Sequence, residues 1–309
     1  MKSRVLRPGS ITKYGMSYQG SKSKVIDKIA RFFPNADNFY DLFGGGFSVS
    51  HYMLKHRSKS YKNFHFNELR PGVCELIQAA IAGKYSYDVF KPEWISRERF
   101  FAEKDSSAYI KIIWSFGVNG KDYIFGKESE NQKRSMHQAV VFSEFDDFMK
   151  SSLKLEKWPN HLTITGRRLY LKMLVRNEKR LDLQQLEQLQ QLERLEQLEQ
   201  LERIQQPSFT TLDYRQVKIN NNSVVYCDIP YLGTVDYESN FSHNDFFEWA
   251  ANQSNPVFVS EYEIKDSRFY LLKEFTHRSP LSPAANIPVT ERLYGNKLAF
   301  DIIQNARQL

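Results

Sequence analysis

The strongest constraint on the fold is a strand–glycine turn–helix–strand run over residues 38–68, whose rhythm returns over residues 224–260. Asn38-Phe-Tyr-Asp-Leu-Phe43 is a short apolar, aromatic run that ends in Gly44-Gly45-Gly46. From Phe47 to Arg57 the chain reads as a helix, with Phe47, His51 and Leu54 on related turns. Phe64 to Glu68 alternates with period two, as a second strand, and Pro71 suits the first position of another helix. This succession is a βαβ unit. Val224–Cys227 and Pro256–Ser260 read as two further strands around a helix at Asn244–Gln253, and the tail is strand-like around Leu271–Thr276 and Leu298–Ile303. Residues 75–180 lack this rhythm and read mainly as helices and polar loops. The expectation is one α/β sheet domain, built from residues 1–74 and 205–309, interrupted by a mostly helical insertion at 75–180.

Residues 181–204 are a separate, low-complexity segment. Leu183, Leu186, Leu189, Leu192, Leu195, Leu198, Leu201 and Ile204 recur every third residue among Gln, Glu and Arg. These are good helix formers, so the composition predicts a helix. A spacing of three falls about 60° short of a full α-helical turn, so successive leucines wind around the cylinder instead of lining one seam. That excludes a heptad coiled coil. Two readings stay open, an oligomerisation or DNA-spanning arm and a tolerated expansion packed on the insertion.

Composition narrows the function classes. No apolar run approaches the roughly 18 residues of a membrane span, and the N-terminal MKSRVLRPGSITKYG has no apolar stretch after its basic residues, as a secretory signal would. Cys74 and Cys227 stand alone, without a CxxC or a neighbouring His cluster, so neither a disulfide scaffold nor a zinc site is expected; a reducing cytoplasm fits. The net charge is +7. Residues 1–31 hold eight basic side chains against Asp27 alone, and residues 150–180 hold nine against Glu156 and Glu178. Such clusters are either solvated faces or the footprint of an anionic partner. Trp158 and Tyr170 beside Arg167, Arg168 and Arg176 favour a nucleic-acid surface.

Chemistry points to the ends of the strands. Asp41-Leu-Phe-Gly-Gly-Gly46 lies between a strand and a helix, where glycine lets backbone approach a ligand and helix N–H groups face it. It lacks the Lys-Ser/Thr of a P-loop and a full GxGxxG, so phosphate cradling is not indicated; an ordinary tight turn is the plainer alternative. Glu68 ends the second strand, where dinucleotide folds place an acid on ribose hydroxyls, and a surface acid or helix cap is its alternative. Asp228-Ile-Pro-Tyr231 puts a carboxylate and an aromatic ring at the carboxyl end of another strand, with an ordinary turn as the plainer alternative.

Taken together, these motifs resemble the Dam-like (D12 class, α-order) N6-adenine DNA methyltransferases. Ser17-Tyr18-Gln-Gly-Ser-Lys22 is similar to that family's N-terminal motif, Asp41–Gly46 to its methyl-donor loop and Glu68 to its ribose acid. Asn119-Gly120, with Tyr123 beyond, resembles its Asn-Gly element, and Asp213-Tyr214 the pair that contacts the donor's adenine. Asp228–Tyr231 resembles the DPPY catalytic motif, followed by Asn240-Phe241, and Val257–Ser260 resembles the next core strand. Two positions depart. Phe47 stands where the last loop glycine would be, its ring either packing under the loop or narrowing the donor pocket, and Ile229 replaces the first proline of DPPY, with loss of that residue's fixed φ.

The resemblance implies a Rossmann-like, S-adenosylmethionine-dependent methyltransferase sheet with an inserted target-recognition domain, no metal, and transfer to N6 of a flipped adenine in double-stranded DNA. Asp228, Ile229, Pro230 and Tyr231 would form the catalytic turn; Tyr18, Lys22, Asp41, Phe43, Gly44, Gly45, Glu68, Asp213, Tyr214 and Asp228 would bind the donor. Asn119, Lys154, Arg167, Arg168, Lys172 and Arg176 would face DNA, with the arginines as candidates for base edges. The competing expectations are an RNA adenine methyltransferase and a catalytically silent nucleic-acid-binding relative. A cognate restriction endonuclease, the recognition sequence and the oligomeric state are left open.

Overall fold

A computed structural model describes residues 14–16, 18, 20–177, 186–231, 241–278 and 288–307. The chain divides into two compact units, one of residues 1–15, 20–74 and 203–309 and the other of residues 16–19 and 75–202.

The first unit is a seven-stranded sheet. Its strands are β1 (Asn38–Asp41), β2 (Asn63–Asn67), β3 (Ser208–Thr210), β4 (Ser223–Asp228), β5 (Val257–Glu261), β6 (Tyr270–Arg278) and β7 (Pro288–Gly295), in the spatial order β3-β2-β1-β4-β5-β7-β6. β1 to β5 run parallel, whereas β7 is antiparallel to both β5 and β6. Strand order reverses between β1 and β4, which pair with Asp41 opposite Tyr226. This is an open α/β sheet, and its switch point is the crevice where such sheets bind ligands.

Alternation along the strands covers both faces. Tyr40, Val225, Cys227, Val257 and Val259 join Phe246, Phe247 and Ala250 of helix His243–Ala251 in one buried cluster. On the opposite face Phe33 packs against Phe39, Tyr226 and Phe258. The apolar cover on both sides explains why the central strands read as nearly continuous hydrophobic runs.

The tail differs from expectation. Residues 298–303 belong to helix Lys297–Arg307, not to a strand. Asn296 is its cap, since the side-chain oxygen accepts from the N–H of Ala299 at 3.0 Å, and that signal outweighs the apolar content of the segment.

The second unit is helical over the described residues. Ser96, Ser107 and Asp146 cap the starts of helices Arg97–Glu103, Ala108–Ile113 and Asp147–Leu153. The leucine repeat forms helix Glu187–Glu196 and a 3₁₀ turn over Gln197–Leu201. Leu186, Leu189, Leu192, Leu195, Leu198 and Leu201 are all buried. Within the α-helix Leu189, Leu192 and Leu195 sweep roughly a third of the cylinder. In the 3₁₀ stretch, with three residues per turn, they fall back into line. Burial of these six leucines within one chain agrees with a segment packed on its own unit, whereas Ile204 is exposed and Leu183 lies outside the described residues. Arg168 pairs with Glu193, and Tyr87 donates through its N–H to Glu196, so polar contacts fix the segment's register.

Candidate active site

Two neighbouring parallel strands bring Asp41 and Asp228 to the same edge of the sheet. Asp41 ends β1 fully buried, and its Oδ2 accepts from the Ser50 N–H at 3.2 Å and the Ser50 hydroxyl at 2.7 Å. It thereby satisfies an N–H in the first turn of helix Ser48–Arg57, which would otherwise lack a partner. Its Oδ1 is buried without a hydrogen-bond partner among the described residues. Burial, reinforced by the negative charges of Asp228 and Glu68 and opposed by Ser50, pushes the Asp41 pKa up to about 7.

The glycine loop is tight for steric reasons. A Cβ on Gly44 would lie 2.0 Å from the Phe66 ring, and Gly45 has φ +49°. Glu68 braces this loop, Oε2 accepting from the Gly45 N–H at 2.7 Å and Oε1 from the Arg70 N–H at 2.9 Å. Phe47 has φ +69°, a left-handed conformation that favours glycine, which explains why a glycine at this position suits the turn. Its ring is buried beneath the loop, 5.0 Å from the Phe66 ring and 6.0 Å from that of Phe209. Of the two placements left open by the sequence, packing under the loop is the one observed.

Asp228 ends β4, and its Oδ1 is 2.8 Å from the Lys22 ammonium. Lys22 is itself buried, lies 3.7 Å from Glu291 on β7 and stands 4.8 Å from the centre of the Tyr231 ring. Burial raises the Asp228 pKa to about 6; Lys22 opposes the rise, Glu291 adds to it, and a hydrogen bond from Tyr231 lowers it. Ile229 turns its side chain into the apolar cluster, so at this position a branched side chain replaces proline as packing material. The Tyr231 ring meets Tyr262 edge-on at 4.5 Å.

Phe43 and Tyr214 form an aromatic wall with Phe241, at ring separations of 5.5 Å for Phe43–Tyr214 and 5.7 Å for Phe43–Phe241. Asp213 is held by both arms of Arg215, each at 2.8 Å, which keeps its pKa below the ordinary value. Asn67, buried at the end of β2, gave no sequence signal. Its amide donates to the carbonyls of Leu42 and Leu212 and accepts from the Leu212 N–H, fastening the β1 and β3 loops together. Ser50, Glu291 and His243 were also missed. Each acts through a tertiary contact, and only an Asp-to-Ser spacing of nine residues hinted at one of them.

The remaining sequence-derived positions fare unevenly. Tyr18 lies in the second unit, half-buried, while Ser17, Gln19 and Asn240 lie outside the described residues. Asn119 organises a turn, its Oδ1 accepting from the N–H groups of Lys121 and Asp122. Lys154 and Lys172 are exposed, and the Arg176 side chain is outside the described set. Arg167 and Arg168 must be corrected as base-edge candidates because both are buried. Arg167 donates to the carbonyls of Val140, Val141 and Leu162, closing the end of helix Glu130–Phe142, and Arg168 is committed to Glu193. Trp158 is likewise buried, donating to the Ala139 carbonyl at 2.8 Å, so the aromatic context around these arginines is core.

Among the described residues there is no group of three or more His, Cys, Asp or Glu that could hold a metal ion, and no helix long and apolar enough to cross a membrane. No curated protein matches the chain. The sequence model of one family, described as D12 class N6 adenine-specific DNA methyltransferase, matches residues 18–255. That span takes in the glycine loop, the acid at 228 and strands β1 to β4, and the chain belongs to this family of adenine-specific DNA methyltransferases.

Proposed function

We propose that the protein methylates N6 of an adenine flipped out of double-stranded DNA, using S-adenosylmethionine as donor and Asp228–Tyr231 as the catalytic turn. The observation that carries this reading is the pairing of β1 with β4, which sets the glycine loop beside the acid that ends the next strand. Fit to the donor is supported by the Asp41 Oδ1, buried without a hydrogen-bond partner among the described residues, and by the carboxylates of Glu68, Asp228 and Glu291, whose charge suits a cationic ligand. When bound, the donor supplies a methyl group on a positively charged sulfur, which departs as a neutral thioether. Phe43 and Tyr214 offer its adenine an apolar wall, and Glu68 and Asp41 offer acceptors to its hydroxyl and ammonium groups.

The chain's part in the chemistry is to make a poor nucleophile competent. The N6 lone pair is delocalised into the purine ring. Acceptance of its two hydrogens by the Asp228 carboxylate and the Ile229 carbonyl lets the nitrogen pyramidalise and turn its lone pair outward. After transfer the nitrogen carries one proton too many, and a carboxylate with pKa about 6 is ionised at neutral pH yet basic enough to take it. Tyr231 stacks on the everted base, and eversion is needed because N6 is engaged in the duplex. Lys22 holds Asp228 charged and the Tyr231 ring in place.

The second unit is the proposed reader of DNA, with Lys154 and Lys172 on phosphates and the Asn119-Gly120 turn presented to the duplex. The reaction belongs where DNA is, which for a reducing environment and two buried free thiols suits the cytoplasm. The test is incorporation of labelled methyl into unmethylated duplex DNA and into RNA, followed by identification of the modified base. Asp228→Ala should lower single-turnover transfer by roughly 10²–10⁴-fold, the usual scale for a positioned acid–base group, with a smaller loss of donor affinity. Full turnover by that variant removes Asp228 from the mechanism.

A further inference from the structure

We propose that His243 is a positioning residue that holds the catalytic turn in shape, doing from outside what the missing proline at 229 would do from within. This rests on the reading of Asp228–Tyr231 as the catalytic turn. His243 Nε2 lies 2.8 Å from the Pro230 carbonyl oxygen. A carbonyl only accepts, so Nε2 carries the proton and donates it. The same nitrogen lies 3.8 Å from Oε2 of Glu261, the buried last residue of β5, whose Oε1 accepts from the Tyr262 N–H at 2.7 Å. β5 pairs with β4 through Ser260 opposite Asp228, so Glu261 belongs to the edge from which the turn departs.

The imidazole is well fixed. It opens helix His243–Ala251, whose Phe246 and Ala250 are fully buried, and the cap Ser242 accepts from the Asp245 N–H. Phe241 meets the ring edge-on at 5.0 Å, and Phe247 flanks it at 6.2 Å. Phe241 also packs on Phe43 of the aromatic wall, so one side chain connects that wall with the turn.

The need for such a clamp follows from the sequence. An isoleucine at 229, held to extended backbone by Pro230, still leaves φ a wider range than a proline, which would fix it near −65°. Rotation there swings the Ile229 carbonyl and the Tyr231 ring together, and positioning errors of about 1 Å cost rate more than affinity. A hydrogen bond on the next carbonyl removes that freedom.

The experiment compares His243→Leu, His243→Gln and the double variant His243→Leu/Ile229→Pro with the full-length enzyme on duplex DNA. Leucine keeps bulk against Phe241 and Phe247 but donates nothing, and the glutamine amide supplies a donor at a similar reach. Expected is a fall in kcat of tenfold or more for His243→Leu with KM for the donor changed less than threefold. His243→Gln should recover most of the rate, and Ile229→Pro should restore part of it in the leucine background. Melting temperatures and donor-binding stoichiometry separate a loss of folded protein from a loss of rate. A His243→Leu enzyme as fast as the parent overturns the proposal, as does equal impairment of the leucine and glutamine variants. Asp228→Ala serves as the arbiter: if it is inactive while His243→Leu is not, the clamp alone fails. If it turns over normally, the assignment of the turn fails first.

Discussion

Phe47 combines a buried ring with a backbone conformation that L-residues resist, and the two can be separated by substitution. Phe47→Ala removes the ring from Phe66 and Phe209 but leaves φ at +69°, so it should lose about 3–5 kcal/mol, the usual cost of emptying a buried phenyl site. Phe47→Gly loses the same contacts but sheds about 1–2 kcal/mol of left-handed strain. Its more flexible unfolded chain takes back about 0.4–1 kcal/mol. The glycine variant should therefore be the more stable of the two by about 1 kcal/mol, the reverse of the order in a helix interior, and still about 2–4 kcal/mol below the parent. Hydrogen exchange in peptides covering β1 and β2, measured across a urea series, reads this unit without contribution from residues 75–202. Donor affinity under native conditions should change little, because the ring faces Phe66 and Phe209. A glycine variant no more stable than the alanine variant would refute the strain argument. A large loss of donor affinity in a folded variant would put the ring in the pocket.

Lys22→Met removes the charge that opposes burial at Asp228, so the carboxyl pKa should rise above its value of about 6 by about one to three units. Because the ionised form is the one that accepts hydrogens, the acid limb of the rate profile should move to higher pH, with activity lost at pH 7 and regained at alkaline pH; a limb that stays near pH 6 contradicts the pairing. In the leucine repeat, a shift of three residues replaces Leu by Leu, Glu193 by Glu196 and Gln188 by Gln191. Insertion of a Leu-Glu-Gln triplet after Gln197 should therefore cost under about 1 kcal/mol, and insertion of a single Gln at least about 2 kcal/mol, since it puts polar side chains at buried leucine sites. Equal urea midpoints for the two insertions would show that the leucines do not set the register.

Much of the sheet unit was written in local pattern. A period-two run gave β2, continuous apolar runs gave β4 and β5, and the glycine turn announced the switch-point loop, because hydrophobic patterning and turn chemistry are properties of neighbours in sequence. Asp41, Glu68 and Asp228 were found for the same reason, as each lies at or just past the end of a strand where such sheets bind ligands. The leucine repeat was legible as a helix, but not as core, since a spacing of three does not say which part of a cylinder will be covered.

What the tertiary structure alone decided concerns groups whose partners are remote in the chain. Arg167 and Arg168 look the same in sequence as Lys172, yet the arginines are consumed by carbonyls and by Glu193, while Lys172 remains exposed. Lys22 meets an acid some two hundred residues away, and that contact opposes the rise that burial gives the Asp228 pKa. The direction of the Phe47 ring, and the reach of His243 to Pro230, depend on how helices seat against the sheet. Periodicity and turn signals are set by bonds between adjacent residues and survive in one dimension. Desolvation and hydrogen-bond pairing depend on distance through space, so they come into being only when the chain has folded.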